Sequence, residues 1–568
     1  MKGAATMEPS DDEADLHRRK GPVRWLSPKV LAQSLTPLVL SKLFTRFSDR
    51  REVEAVRRQG LVYCSDADEL WVDYVADTGD GFDAAATVAS LLAPEVLTVD
   101  GQRTEAGSLL VLGGDEVYPF ASKAEYDDRF VKPFRAMLPF AAADHHRVAV
   151  AVPGNHDWYD GLTAFQQTFC GGEWIGGWKT EQRRSYFACR LPHGWWLWAI
   201  DIQLDTYIDH AQIEYFTRMA RSIDPGDCII LCWAKPAWVT AAEEGQRPSQ
   251  DAGPAAVTLQ ALKAAVGGGA ELTRIPQAYK TLDYFQRRVV PAHADIRLSL
   301  TGDSHHYARY EAHGGEQKIT AGLGGAFLSA THHLPKHIQL PSRTEGGEAV
   351  SFQRQWEYPA CADTKRLRRG VLRAVYGNRG FPLLPALVYA GIAATRTRSR
   401  RAPAATCAAG FAAVAACVAF SKQKKPRDWA PGAVHGVFHV VAALGSTWLI
   451  RRGAGRRSTA VLGAGAIGAT VGPALLGLYL VVADGIGLFG RNTNELFSAL
   501  AIEDHKGFLR LHFKADGGLT IYPIKVDTVA RWTPDGTWPG HADAPRFSAN
   551  PEPVATLIEP PIPVTRAP

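Results

Sequence analysis

Cysteine is scarce in this chain, eight residues among 568, and no two of them stand in Cys-x-x-Cys spacing. A disulfide framework and a zinc ribbon are therefore excluded, and scattered thiols fit a reducing compartment. Missing too is an apolar core behind the first positive charges: residues 8–15 are polar and acidic, unlike a secretory leader. The sequence thus predicts a catalytic part facing the cytoplasm. No module interleaves aromatic with basic residues as a nucleic-acid surface would, so no nucleic-acid partner is expected. The glycine cluster Gly322-Leu323-Gly324-Gly325 has no Lys-Ser/Thr after it and makes a poor phosphate loop. No solenoid-type repeat is present. Acidic residues all but vanish from the apolar runs beyond residue 364, where Asp484 is the sole carboxylate beside His435 and His439. That is too few ionisable groups for an ion path, which argues against a transporter.

What is present reads as a folded chain, with 46% hydrophobic and 21% charged residues. The net charge of +5 is local, because Lys and Arg gather between Lys365 and Arg457 beside apolar runs. That placement suits a lipid bilayer as partner. Residues 1–21 are polar and expected to be disordered. Residues 22–59 read as an amphipathic helical lead-in, packed on the domain or lying on a membrane surface. From 60 to 364, short apolar runs alternate with helical patterns. Strands are predicted at 70–76, 109–112, 148–152, 195–200, 228–231 and 296–300, and helices at 84–92, 126–137 and 211–222, the pattern of a layered α/β domain. Residues 243–269, rich in Gly, Ala and Pro, read as a mobile insertion. Within 365–490 lie four apolar runs, 381–395, 402–420, 433–450 and 459–489, punctuated by basic clusters. Roughly 20 apolar residues cross a bilayer, so the first run is marginal and the last exceeds the need. Residues 491–532 supply a strand pair turned at Asp516-Gly517-Gly518, expected to close the sheet opened near residue 61. Residues 533–568 form a Pro-rich tail expected to be extended.

Five loops carry the chemistry, each after an apolar strand. They are Asp77-Thr78-Gly79-Asp80, Gly113-Gly114-Asp115-Glu116-Val117-Tyr118, Gly154-Asn155-His156-Asp157, Trp233-Ala234-Lys235-Pro236 and Gly302-Asp303-Ser304-His305-His306. Loops at the carboxyl ends of strands converge on one crevice. These would gather oxygen donors and imidazole around a point, a set suited to divalent or trivalent first-row metals. Asp80 reads either as a supporting partner or as the N-cap of the following helix.

The order of these loops resembles the calcineurin-like metallophosphoesterase superfamily, over roughly 61–334 plus the strands near 507–526. The resemblance implies a β-sandwich flanked by helices, here with an inserted α-helical transmembrane segment, and one or two metals (Fe, Mn or Zn) at the strand ends. In that superfamily the first motif reads Asp-x-His, whereas Gly79 stands at the His position here. Purple acid phosphatases share that substitution and use a Tyr three residues after the bridging Asp; Tyr118 follows Asp115 by three. The resemblance then implies one metal held by Asp77, Asp115, Tyr118 and His305, and a second by Asp115 and Asn155. His156 matches the acid that protonates the leaving group, with Asp157 expected to orient its ring. Two departures touch the second metal. Ala234 stands where a His is usual, and Asp303 replaces the first His of the fifth motif, where its carboxylate can still bind. His306, His332 and His333 are candidates to fill the gap or bind substrate. The expected activity is hydrolysis of a phosphate ester by metal-activated water, in a multi-pass protein of the cell membrane. The alternative is a membrane-anchored metal-binding sensor or scaffold whose catalysis has faded.

Overall fold

The computed structural model describes residues 19–31, 58–139, 141, 146–202, 208–246, 277–378, 380–397, 402–421, 429–454, 456–485, 492–534 and 547–566. The expected disorder of 1–21 and mobility of 243–269 fall largely outside these residues, as does most of the amphipathic lead-in. Within the described part of that lead-in, residues 22–27 are irregular chain and turn, and a helical turn starts only at 28.

Two sheets face each other. One runs, in spatial order, through Ala555–Leu557, Leu519–Val526, Lys506–Phe513, Leu70–Val75, Leu109–Leu112, Arg147–Ala151, Trp178–Thr180 and Trp174–Ile175. The other runs through Tyr63–Cys64, Phe187–Leu191, Trp195–Ala199, Cys228–Cys232, Asp295–Thr301, Gln317–Ala321, Tyr307–Ala312, Val350–Tyr358 and His337–Leu340. Side chains on a strand alternate between faces. Accordingly Val72, Tyr74, Leu109, Val111, Val148 and Val150 point into the core between the sheets. Val75, Leu110, Leu112, Ala149 and Ala151 point outward, beneath helix Phe82–Leu92 and the segment Lys123–Met137. A third core covers the far face of the second sheet, under His210–Ala220 and Lys280–Arg288. Burial on both faces explains why the central strands read as unbroken apolar runs.

The strand pair after the apolar insertion shares a sheet with Leu70–Val75, whereas Tyr63–Cys64, near the expected opening at residue 61, belongs to the other sheet. Lys506–Phe513 pairs antiparallel with Leu70–Val75, placing Arg510 directly opposite Asp73. The Arg510 guanidinium donates to Asp73 Oδ1 (2.7 Å) and Oδ2 (3.2 Å), and to Thr104 Oγ1 (3.1 Å). The Pro-rich tail does more than run extended: Ala555–Leu557 and Ile562–Val564 both pair with Leu519–Val526.

Between the two halves lie helices Leu383–Thr397, Ala402–Phe420, Ala430–Ala454 and Arg457–Gly485. Three of them are long and apolar enough to cross a membrane, by length and composition: Pro403–Phe420, Ala430–Gly453 and Arg457–Gly485. The first helix is shorter, and the fourth run is one continuous helix. Close approach rests on glycine: a side chain at Gly472 would meet Pro385 Cβ at 2.3 Å, and one at Gly436 would meet Val414 Cα at 2.6 Å. Leu387, Phe411, Val441, Leu449 and Leu462 face outward, 60–76% exposed.

Candidate metal centre

Three of the five loops turn on an aspartate in the left-handed conformation: Asp77 (φ 62°), Asp115 (φ 55°) and Asp303 (φ 59°). Such backbone costs about 1–3 kcal/mol per non-glycine residue and is held only where the surroundings enforce it. Here the enforcement is backbone pairing between loops. Asp77 N–H donates to Gly114 O (2.8 Å), Thr78 N–H to Asp115 O (3.2 Å) and Tyr118 N–H to Gly79 O (2.9 Å). Gly79 is required by this contact, since a Cβ there would lie 1.9 Å from Glu116 O. A histidine at 79 has no room.

The side chains then converge. Tyr118 Oη lies 2.9 Å from Asp77 Oδ1, 3.2 Å from Asp115 Oδ2 and 3.1 Å from His305 Nε2. His305 Nδ1 is 2.7 Å from Phe327 O, a carbonyl that can only accept, so the ring's hydrogen sits on Nδ1 and Nε2 is bare. The phenol thus has one proton to give among three acceptor atoms. Asp77 Oδ2 is buried without a hydrogen-bond partner among the described residues. Asn155 turns one end of its amide to 2.8 Å from Asp303 Oδ1 and 3.3 Å from Asp115 Oδ2. With nitrogen there, the amide donates to both; with oxygen there, three oxygens meet that a metal ion or a carboxyl proton would hold together. Tyr159 Oη, 3.4 Å from the other end, accepts the amide nitrogen in that second orientation.

Electrostatics agree with this geometry. Burial, then repulsion from Asp303, pushes the Asp77 carboxyl well above its ordinary range. Burial followed by the charges of Asp157, Asp77 and Asp303 does the same to Asp115. The Tyr118 phenol is raised by burial and by Asp115 and Asp77. Burial lowers His305 to about 3 and leaves it neutral, the form that ligates metals. Buried carboxylates packed without a compensating cation are costly, and a metal is the ordinary remedy. The donor set of carboxylate, phenol, amide and imidazole fits a first-row metal.

His156 stands at the edge of the cluster. Its Nδ1 is 2.9 Å from Pro119 O and its N–H donates to Asp115 Oδ1 (2.8 Å), while burial lowers its pKa to about 4. Asp157, expected to orient this ring, does something else. Its Oδ2 accepts from the N–H groups of Asp115 (2.9 Å) and Gly154 (2.7 Å), and its Oδ1 accepts from the Tyr126 hydroxyl. Asp157 pins two loops together, and the Pro119 carbonyl holds the imidazole. Ala234 does sit at the site, since a side chain at Gly114 would meet its Cβ at 2.8 Å. His306 is buried with both ring nitrogens unpartnered and makes no hydrogen bond to the cluster. His332 and His333 are not brought there either; their Nε2 atoms contact Asp484 on helix Arg457–Gly485.

One part of the site was not foreseen. Residues 20–26 cross it as a strap. Phe82 N–H donates to Lys20 O (3.0 Å), and Val23 N–H to Asp80 Oδ1 (2.6 Å). Asp80 is therefore the strap's anchor rather than a helix cap, and the N-cap position belongs to Gly81. Trp25 packs edge-on against His156 and Tyr118, with centroids 5.6 and 6.2 Å away, and its indole N–H is buried without a partner among the described residues. The sequence showed Trp25 only as part of the amphipathic lead-in over 22–59.

Residues 70–255 match the family model of calcineurin-like phosphoesterases, which spans the first four loops and stops short of Asp303 and His305. The mixed α/β sandwich fits that fold. No curated protein matches the chain.

Proposed function

We propose that this chain is a membrane-anchored, metal-dependent phosphoesterase with a metal site of the purple-acid-phosphatase kind. The observation that carries the reading is the Tyr118 hydroxyl, surrounded by three acceptor atoms of Asp77, Asp115 and His305 with a single proton to share. Asp77, Asp115, Tyr118 and His305 would hold one metal, and Asp115, Asn155 and Asp303 a second. When bound, such metals supply Lewis acidity that activates water near neutral pH and offsets charge on the phosphoryl oxygens. The protein's own residues do the rest. Pro119 O accepts the His156 Nδ1–H in either charge state, so Nε2 stays aimed while it takes up or gives a proton. A phosphate beside the ring favours its protonated form, and a proton at Nε2 can pass to the leaving oxygen as the P–O bond breaks. Trp25 closes one side and limits water at the ring. Retention of this ligand set favours an enzyme over a faded sensor, although Ala234 contributes no ligand.

The domain would be interrupted at 365–490 by helices lying in the cell membrane, with both flanking parts on the cytoplasmic side. The shared sheet supports placing both parts on one side, because strands on opposite sides of a bilayer could not pair. Hydrolysis of a generic aryl phosphate by the detergent-solubilised protein, with and without added Fe, Mn or Zn, tests the activity. Asp115→Asn should abolish turnover and reduce bound metal. Near-normal turnover and metal content in that variant would overturn the site.

A further inference from the structure

We propose that His332, His333 and Asp484 form a separate metal site that takes one zinc-class ion and ties the last apolar helix to the phosphoesterase domain. His332 Nε2 lies 3.1 Å from Asp484 Oδ2, and His333 Nε2 lies 2.7 Å from Asp484 Oδ1. One ligand atom from each residue falls within 4.8 Å of the others. Neighbouring side chains on extended chain point apart. Here a turn, closed by Leu334 N–H donating to Thr331 O (3.1 Å), sets both imidazoles on the same carboxylate, their centroids 4.2 Å apart.

The outer partners are those a metal site needs. Thr364 Oγ1 lies 2.9 Å from His332 Nδ1 and fixes the ring. Arg368 Nη1 donates to Asp484 Oδ2 (3.1 Å) and Thr493 Oγ1 to Oδ1 (2.8 Å), fixing the carboxylate. Side chains of Asp484 and His332 are 0% and 2% exposed, while His333 at 31% leaves an entry for the ion and a water. Two imidazoles and a carboxylate suit zinc, whose ligand atoms at bonds of about 2.1 Å stand about 3.4 Å apart in a tetrahedron. The two imidazole–carboxylate separations, 3.1 and 2.7 Å, would open by less than an ångström. Placement gives the site its consequence. Phe327, whose carbonyl faces His305 Nδ1, lies on the same loop as His332. An ion at Asp484 would therefore brace the catalytic loop against the helix bundle.

The inference does not rest on the catalytic reading, and the test separates the two. Full-length protein in detergent is stripped with a chelator and titrated with zinc, and in parallel with cobalt, whose visible absorption reports four-coordination. The double variant Asp77→Ala/Asp115→Ala, which disables the carboxylate centre, should still bind one equivalent of zinc and give the cobalt band. His332→Ala/His333→Ala should bind one equivalent fewer than the wild type. Absence of zinc from Asp77→Ala/Asp115→Ala would overturn the proposal, as would an unchanged equivalent count in His332→Ala/His333→Ala. Should the histidine variant fail to fold, the Asp77→Ala/Asp115→Ala titration decides alone.

Discussion

Replacing Arg510 by Met should unfasten the sheet where Lys506–Phe513, after the apolar helices, meets Leu70–Val75, before them. Arg510 is fully buried and Asp73 is 4% exposed at the side chain. The substitution keeps volume but removes both hydrogen bonds to Asp73, at 2.7 and 3.2 Å, and the one to Thr104 at 3.1 Å. Asp73 would retain the Gly107 N–H at 2.9 Å as its remaining donor. Stranding one partner of a buried ion pair costs about 3–5 kcal/mol. That equals about two to three and a half powers of ten in the folded population. At roughly 2–4 °C per kcal/mol for a domain of this class, Tm should fall by about 6–20 °C. Thermal unfolding of the solubilised full chain, followed by tryptophan fluorescence, measures it. Asp73→Val/Arg510→Met should recover most of the loss, because apolar replacement of both partners removes the uncompensated charge. If Arg510→Met melts with the wild type and the double variant is no better, the post-insertion strand does not pair as described.

His156→Ala should spare metal binding while slowing turnover about 10²–10⁴-fold, most for esters with poor leaving groups; equal slowing for good and poor leaving groups removes it from the acid role. A tyrosinate on ferric iron absorbs visible light, so iron-loaded protein should be coloured and Tyr118→Phe should bleach it without unfolding the chain. A colourless, iron-containing, active wild type would refute Tyr118 as a ligand. Reporter fusions after Thr364 and after Val526 should both report cytoplasm, and opposite sides would break the interrupted-domain arrangement.

The central strands were legible because they are buried on both faces, so Leu109–Leu112 and Cys228–Cys232 appear as bare apolar runs. Peripheral strands were not. Val350–Tyr358, next to the edge strand His337–Leu340, carries exposed Gln353, Gln355 and Trp356 in an irregular pattern, and it draws its stability from pairing on both sides rather than from its own pattern. In the site, strand-end loops announced Asp77, Asp115, Asn155, Asp303 and His305, since glycine beside a polar residue after a strand is a local signal. The partners that orient them were invisible, because Pro119 and Phe327 act through backbone carbonyls that no side chain advertises. Trp25 and the pairing of His332 and His333 with Asp484 depend on contacts across 131 and 152 positions, beyond any motif's reach.

The tight seat of Gly79 bears on how such a centre can change over generations. The carbonyl that blocks a side chain at 79 belongs to Glu116, two residues before Tyr118, and Tyr118 N–H is itself bonded to Gly79 O. Moving that carbonyl aside to admit an imidazole would drag the phenol with it. Under the proposed ligand set, the two choices of donor, imidazole at 79 or phenol at 118, are alternatives of a single backbone rather than independent options. Passage from one to the other needs coordinated change in both loops, and each lone intermediate would carry either a clash or a missing donor. A screen that introduces histidine at 79 alone should therefore return poorly folded protein, and gains should emerge only from libraries that vary 79 together with 116–118.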